Sequence, residues 1–178
     1  MTTNYAIERI TTEFDIKEDR VRLSGALPGG EAVVIWLTRR MLGFLVPVLL
    51  ERLEPLTPAV AAVPTPAPAD AYVELRKEFA QQAAREAIQP AAPVIAAPAS
   101  GQLLPSFVDV TPSNGVISLR FRDEAGNTAT FGVTETGLRQ WLHLLYRADQ
   151  SGAWALGVWP SWLRGIQQPA RDLGMTVH

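Results

Sequence analysis

Apolar and polar positions alternate from Ile10 to Ile16, with Ile10, Thr12, Phe14 and Ile16 on one side, the period of a half-buried strand. Lys17, Glu18 and Asp19 then make a turn, and Val21, Leu23 and Gly25 repeat the alternation against Arg20, Arg22 and Ser24. Pro28, Gly29 and Gly30 supply the next turn, and a third strand runs from Ala32 to Leu37. At Thr38 the period changes. Leu42, Leu45, Val46, Leu49 and Leu53 fall on one stripe at about 100° per residue. The pattern predicts a helix capped by the Thr38 hydroxyl and ended before Pro55. Pro47 removes the hydrogen bond to the Gly43 carbonyl and predicts a kink.

The same order recurs later in the chain. Leu104, Ser106, Val108 and Val110 correspond to Ile10, Thr12, Phe14 and Ile16, and Asn114 with Gly115 marks a type I′ turn, which needs two positive φ angles. Ile117 then corresponds to Val21, Leu119 to Leu23, Phe131 to Ile35, Val133 to Leu37 and Thr134 to Thr38. Thr134 leads into a second helix, about Glu135 to Asp149, whose stripe is Leu138, Trp141, Leu142 and Leu145. Two readings share this pattern: an internal duplication, or two unrelated segments with common turn chemistry.

Between the two halves the composition changes. Pro58, Pro64, Pro66 and Pro68 disfavour helix and strand interiors. From Asp70 to Ile88 no proline occurs, and Tyr72, Leu75, Phe79 and Ala83 form a modest helical stripe behind Asp70 as cap. Pro90, Pro93 and Pro98 return the chain to linker, and the residues after Pro169 are expected to be mobile. The fold class expected is α+β. Two βββα modules, residues 1–54 and 102–178, open to a pseudo-twofold arrangement, flank a Pro/Ala-rich linker at 55–101 that carries a short helix at about 70–88.

Composition narrows the function classes. With 47% hydrophobic residues in 178 there is material for a core. A formal charge of −2 supplies no general field for phosphate backbones or anionic lipid. The absence of Cys removes disulfides and thiolate chemistry and fits a reducing compartment. The first ten residues have neither the basic nor the apolar region of a signal peptide, so a cytoplasmic location is expected. Arg39 and Arg40 leave the apolar run Met41 to Leu50 short of the ~20 residues a membrane span requires.

Candidate chemistry is sparse. His143 sits on the polar wedge of its helix beside Arg139 and Arg147, where exposure is expected, and His178 is the only other histidine. No metal-protease, nucleophile-elbow, phosphate-loop or dinucleotide motif occurs. Asp15 and Asp109 hold corresponding positions and read as exposed strand residues rather than a catalytic pair. No catalytic residue, metal or cofactor is expected, and the chain reads as a non-enzyme. Arg20, Arg22, Arg120 and Arg122 occupy outward strand positions and offer an alternative nucleic-acid face, but Asp19, Asp123 and Glu124 lie beside them and interleaved exposed aromatics are missing.

The clearest signal is surplus apolar surface. Met41, Phe44 and Val48 form a second stripe on the first helix, which weakens in the second to Gly137, Gln140 and Leu144. A sheet buries one stripe, so the extra one must meet the other module, the tail or another chain. Trp154, Trp159 and Trp162 either close the core or form an exposed aromatic platform. The function expected is an adaptor, scaffold or assembly protein. It would contact a protein partner or a second copy through Met41, Phe44, Val48 and the three tryptophans, with Tyr72, Leu75 and Phe79 docking in a groove.

Overall fold

The computed structural model describes residues 2–53 and 69–164, with backbone alone for residues 69 and 70. The proline-rich run at 55–68 and the residues after Pro169 lie outside the described residues, as does the side chain of Asp70. The strands are β1 (Asn4–Ala6), β2 (Arg9–Asp15), β3 (Arg20–Ala26), β4 (Ala32–Leu37), β5 (Gly101–Leu103), β6 (Phe107–Ser113), β7 (Val116–Arg122) and β8 (Thr128–Thr134). The helices are α1 (Arg39–Leu53), α2 (Ala69–Glu86), α3 (Glu135–Ser151) and α4 (Ser161–Arg164). Among the described residues the fold is mixed α+β, with two four-stranded sheets and four helices.

Local chemistry sets the element ends. The Thr38 hydroxyl accepts from the Met41 N–H at 3.1 Å, and the Thr134 hydroxyl from the Gly137 N–H at 3.2 Å, so α1 and α3 both start on a threonine cap. Asn114 and Gly115 take φ of 49° and 77° between the paired residues Ser113 and Val116, the two positive angles the hairpin requires. The strand expected to reach Ile16 stops at Asp15. Its carboxylate accepts from the Lys17 and Glu18 N–H groups at 2.9 and 3.1 Å, turning the chain and leaving Ile16 82% exposed. α1 continues through Pro47, and α2 begins at Ala69, one residue before the expected cap.

Each meander carries an added strand from outside its own run of the chain. One sheet has the order β1-β8-β7-β6 and the other β2-β3-β4-β5. β1 pairs parallel with β8, and β5 pairs parallel with β4. The expected boundaries at 54 and 101 therefore do not separate the sheets. The strand expected from Leu104 is also divided: Pro105 offers no N–H, Leu104 is exposed, and pairing with β7 begins at Phe107.

Two short passages join the sheets. The Ile7 N–H donates to the Thr130 carbonyl at 2.8 Å in one sheet, and the Glu8 N–H donates to the Ala26 carbonyl at 2.9 Å in the other. On the opposite side Leu103 pairs with Ile35, and the Ser106 N–H donates to the Arg122 carbonyl at 2.9 Å. β1 runs into β2 and β5 into β6, so the two sheets close into a ring. Parallel pairing then places the helices. Where β4 ends at Leu37, α1 takes up a position beside β6, and α3 likewise lies beside β2.

One core fills the ring. Val21, Leu23, Val33, Ile35, Ile117, Leu119, Phe121 and Phe131 are buried together with the expected stripes of both helices, Leu42, Leu45, Val46, Leu49 and Leu53 with Leu138, Trp141, Leu142 and Leu145. At roughly 1.5–3 kcal/mol for each fully buried large side chain, these stripes hold the helices on the strands. After α2 the chain crosses the outer face of the second sheet. The Val94 N–H donates to the Thr11 hydroxyl at 2.8 Å on β2, and by Gly101 the chain has reached β5 at the far edge. Ser24 and Val34, between those edges, are buried.

Candidate interaction surfaces

α2 sits on the body of the protein with its polar side inward. Gln81 is fully buried and its Nε2 donates to the Arg139 carbonyl at 2.9 Å, while Gln140 Nε2 donates to the Ala84 carbonyl at 3.1 Å. Gln81 lies nine residues from Tyr72, about half a turn round the helix axis. Tyr72, Leu75 and Phe79 consequently point to solvent, and Phe79 is 66% exposed. Ala83 is exposed on the same stripe and Val73 is exposed beside it. A surface helix ordinarily turns such a stripe inward. Here Gln81 and Ala84 make the contact, and the apolar side is displayed.

α1 divides its second stripe. Met41 and Val48 are half-buried, with Met41 packed on the core, whereas Phe44 is 63% exposed under the Arg40 guanidinium, 5.9 Å from its ring centre. Beside Phe44 a groove of about 440 Å³ runs between α1 and β6, walled by Phe44, Val48, Val108 and Val110. Arg52 and Asp109 are its charged members. The Arg52 Nε is shut off from solvent and has no acceptor among the described residues.

The tryptophans separate. Trp154 and Trp159 are 4% and 3% exposed, inside the core rather than on a platform, and Trp162 is half-buried with the Arg139 guanidinium 5.9 Å from its ring. Trp154 meets Phe14 edge-on at 5.4 Å, and its indole N–H donates to Asp19 Oδ1 at 2.7 Å. A partner therefore has no access to Trp154 or Trp159 in this arrangement. The residue that directs this turn is Asp149, which hydrophobic patterning left unremarked. It is 1% exposed and accepts from the Trp159 indole and the Leu156 N–H.

The four arginines lie on two different sheets, Arg20 and Arg22 on β3 and Arg120 and Arg122 on β7. Arg22 is 3.8 Å from Glu13, and Arg20 is 4.0 Å from Glu18. Each sheet does carry an aromatic beside an arginine. Arg122 stacks 5.0 Å over Phe107, which is exposed, and Arg22 stands 5.9 Å from Trp36. Cross-strand pairing brought these partners together across separations that sequence spacing does not reveal.

His143 is half-buried, because α2 covers the side of α3 on which it lies. Burial, then the positive charges of Arg85 and Arg147, lower its pKa to about 4. Asp15 serves its turn, and Asp109 lies opposite Arg120 on β6. Among the described residues no group of three or more His, Cys, Asp or Glu side chains is placed to hold a metal ion, and no helix is long and apolar enough to cross a membrane. No protein-family model, curated protein or solved structure matches the chain.

Proposed function

We propose that this chain is a non-enzymatic adaptor or assembly protein that works through protein–protein contacts, self-association included, in the cytoplasm. The observation that carries the reading is the orientation of α2. Its buried side holds Gln81 and Ala84, and Tyr72, Leu75 and Phe79 are left facing solvent. An apolar stripe on an outward helix face is the form of an anchor that enters a partner's groove. The exposed Phe44 on α1 supplies a second contact. We further read residues 1–54 and 102–178 as two copies of one βββα unit joined by the Pro/Ala-rich segment. The matching threonine caps and the reciprocal placement of β1 and β5 support that reading.

The test is the solution mass and partner capture of Leu75→Glu/Phe79→Glu and of Phe44→Glu/Val48→Glu, by light scattering and pull-down. The expected result is a mass or capture that falls in at least one pair while the melting temperature of the α2 pair holds, since its side chains bury little. Both properties unchanged in both pairs would overturn the adaptor reading.

A further inference from the structure

We propose that the outer face of the β2-β3-β4-β5 sheet is a binding row for an extended peptide segment, and that residues 90–98 of this chain occupy it as a displaceable strap. The segment that replaces them comes from a partner protein and sets a small polar side chain, serine or asparagine, over Ser24. The row draws on neither α1 nor α2, so it does not rest on the adaptor reading of those helices.

Strand register draws the row. Thr11 pairs with Ser24, Ser24 with Val34 and Val34 with Gln102, so one line of residues crosses all four strands. Their neighbours along β3 and β4, Leu23, Val33 and Ile35, point into the core, which turns the row outward. The strap follows that line. The Val94 N–H donates to the Thr11 hydroxyl at 2.8 Å, Arg9 Nη1 donates to the Ala92 carbonyl at 3.0 Å, and by Gly101 the backbone has reached the far side of β4 as β5. Between Ala91 and Ala97 only Val94 and Ala96 are half-buried, and Ile95 between them is 85% exposed. That alternation belongs to an extended segment laid with one side on a surface.

The strap fits the row imperfectly. Ser24 is 1% exposed and its Oγ has no hydrogen-bond partner among the described residues, although a covered hydroxyl ordinarily finds one. Strands lie about 4.8 Å apart and an extended chain advances roughly 3.1–3.4 Å per residue, so a segment leaving Thr11 at Val94 passes Ser24 one to two residues on. Of those two positions Ala96 is the one turned to the sheet, and its methyl group offers neither donor nor acceptor. A hydroxyl or carboxamide at that place meets the Ser24 hydroxyl. The strap is also lightly held. Pro90, Pro93 and Pro98 have no N–H to give, and two hydrogen bonds tie residues 90–98 to the sheet among the described residues. Such a segment opens without unfolding the strands beneath it. A second copy would bring the same alanine to Ser24 and would compete against a tethered strap. The displacing segment belongs to another protein.

The probe is a fluorescein-labelled, end-blocked peptide with the sequence of residues 90–98, made with either alanine or asparagine at the position of Ala96, titrated with the full chain and read by fluorescence anisotropy. The tethered strap competes at a roughly millimolar effective concentration, so the chain carries Val94→Asp, which sets a carboxylate in the strap against the sheet and leaves the row intact. Saturable binding of the asparagine peptide is expected, about tenfold or more tighter to Val94→Asp than to wild type, and about fivefold or more tighter than the alanine peptide. Adding Ser24→Ala to the chain erases the second difference. In case Val94→Asp folds poorly, amide exchange in the otherwise unaltered chain reads the same contact. The Val94 N–H is expected to exchange faster than the β3 amides, and about fivefold or more slower in Ala96→Asn than in wild type, with no such slowing in Ala96→Asn/Ser24→Ala. Absence of saturable binding to folded Val94→Asp, equal binding of the two peptides, or an asparagine advantage that survives Ser24→Ala would each overturn the proposal. Exchange at Val94 as slow as in β3, or unchanged by Ala96→Asn, would overturn it too. If the probe fails while Leu75→Glu/Phe79→Glu still lowers mass or capture, the adaptor reading stands and this inference falls.

Discussion

The indole N–H of Trp159 donates to Asp149 Oδ2 at 2.8 Å, with both residues buried. The other carboxylate oxygen accepts the Leu156 N–H at 3.2 Å, and the Asp149 carbonyl accepts the Trp154 N–H at 3.2 Å. One residue near the end of α3 therefore turns the chain back and seats two tryptophans. Asp149→Ala leaves a covered indole and a backbone amide without acceptors, at about 1–3 kcal/mol for each unmet group. The expected outcome is a melting temperature lower by about 4–24 °C, using ~2–4 °C per kcal/mol for a chain of this size. Asp149→Asn keeps one acceptor and loses less. Thermal unfolding followed by circular dichroism and tryptophan fluorescence measures both.

Gly152 offers a sharper probe of the same turn. Its φ of −80° suits any residue, so the restriction is space: an added Cβ would sit 2.7 and 2.8 Å from two carbons of the Phe14 ring and 3.2 Å from the Trp154 indole nitrogen. Phe14 is held edge-on by Trp154 and cannot swing away freely. Gly152→Ala should destabilise by about 1–3 kcal/mol through overpacking. Combined with Phe14→Leu, the loss should be smaller than the sum of the two single losses, which a double-mutant cycle in urea resolves.

The pH dependence of stability contains a contribution from His143. Its pKa falls from an ordinary 6.5 to about 4 in the folded chain. Between those values the unfolded chain carries the proton and the folded chain does not, so the stability contributed above pH 6.5 is lost as pH drops toward 4. His143→Gln should flatten the stability profile across that window and leave the profile above pH 7 parallel to wild type. Urea midpoints at pH 4.5, 5.5, 6.5 and 7.5 test it. Equal slopes in the two proteins would refute the burial argument.

α2 is held by buried polar contacts as well as packing. Replacing Gln81 with Glu sets a carboxylate against the Arg139 carbonyl where an amide N–H now donates at 2.9 Å. Loss of the bond and the buried charge should loosen the helix by about 1.5–3 kcal/mol. Amide hydrogen exchange across residues 71–86 is then expected to accelerate about 10–100-fold, with the β3 and β7 amides unaffected. Faster exchange in the sheets as well would mean that α2 is integral to global stability.

Where a signal was local, it was legible. The stripe Leu42, Leu45, Val46, Leu49 and Leu53 is buried as its spacing implies, and Thr38 and Thr134 cap the helices that follow them. Short non-periodic pieces were not legible. β1 and β5 have three residues each, and their partners, β8 and β4, lie far away in the chain. Nothing within Asn4–Ala6 identifies Thr128–Thr130 as its neighbour. Asp149 was invisible for a similar reason, since its role depends on where three later residues come to lie.

Periodicity, turn residues and caps by themselves determined the meanders, the helices α1 and α3 and the faces of both that enter the core, because those choices are settled within a few residues. Only the tertiary structure decided which sheet receives β1 and β5, which side of α2 meets the body, and which apolar surfaces stay uncovered. A stripe such as Tyr72, Leu75 and Phe79 states that an apolar face exists; where it points depends on the free energy of the whole assembly. Here the contacts of Gln81 and Ala84 with α3 turned that face outward.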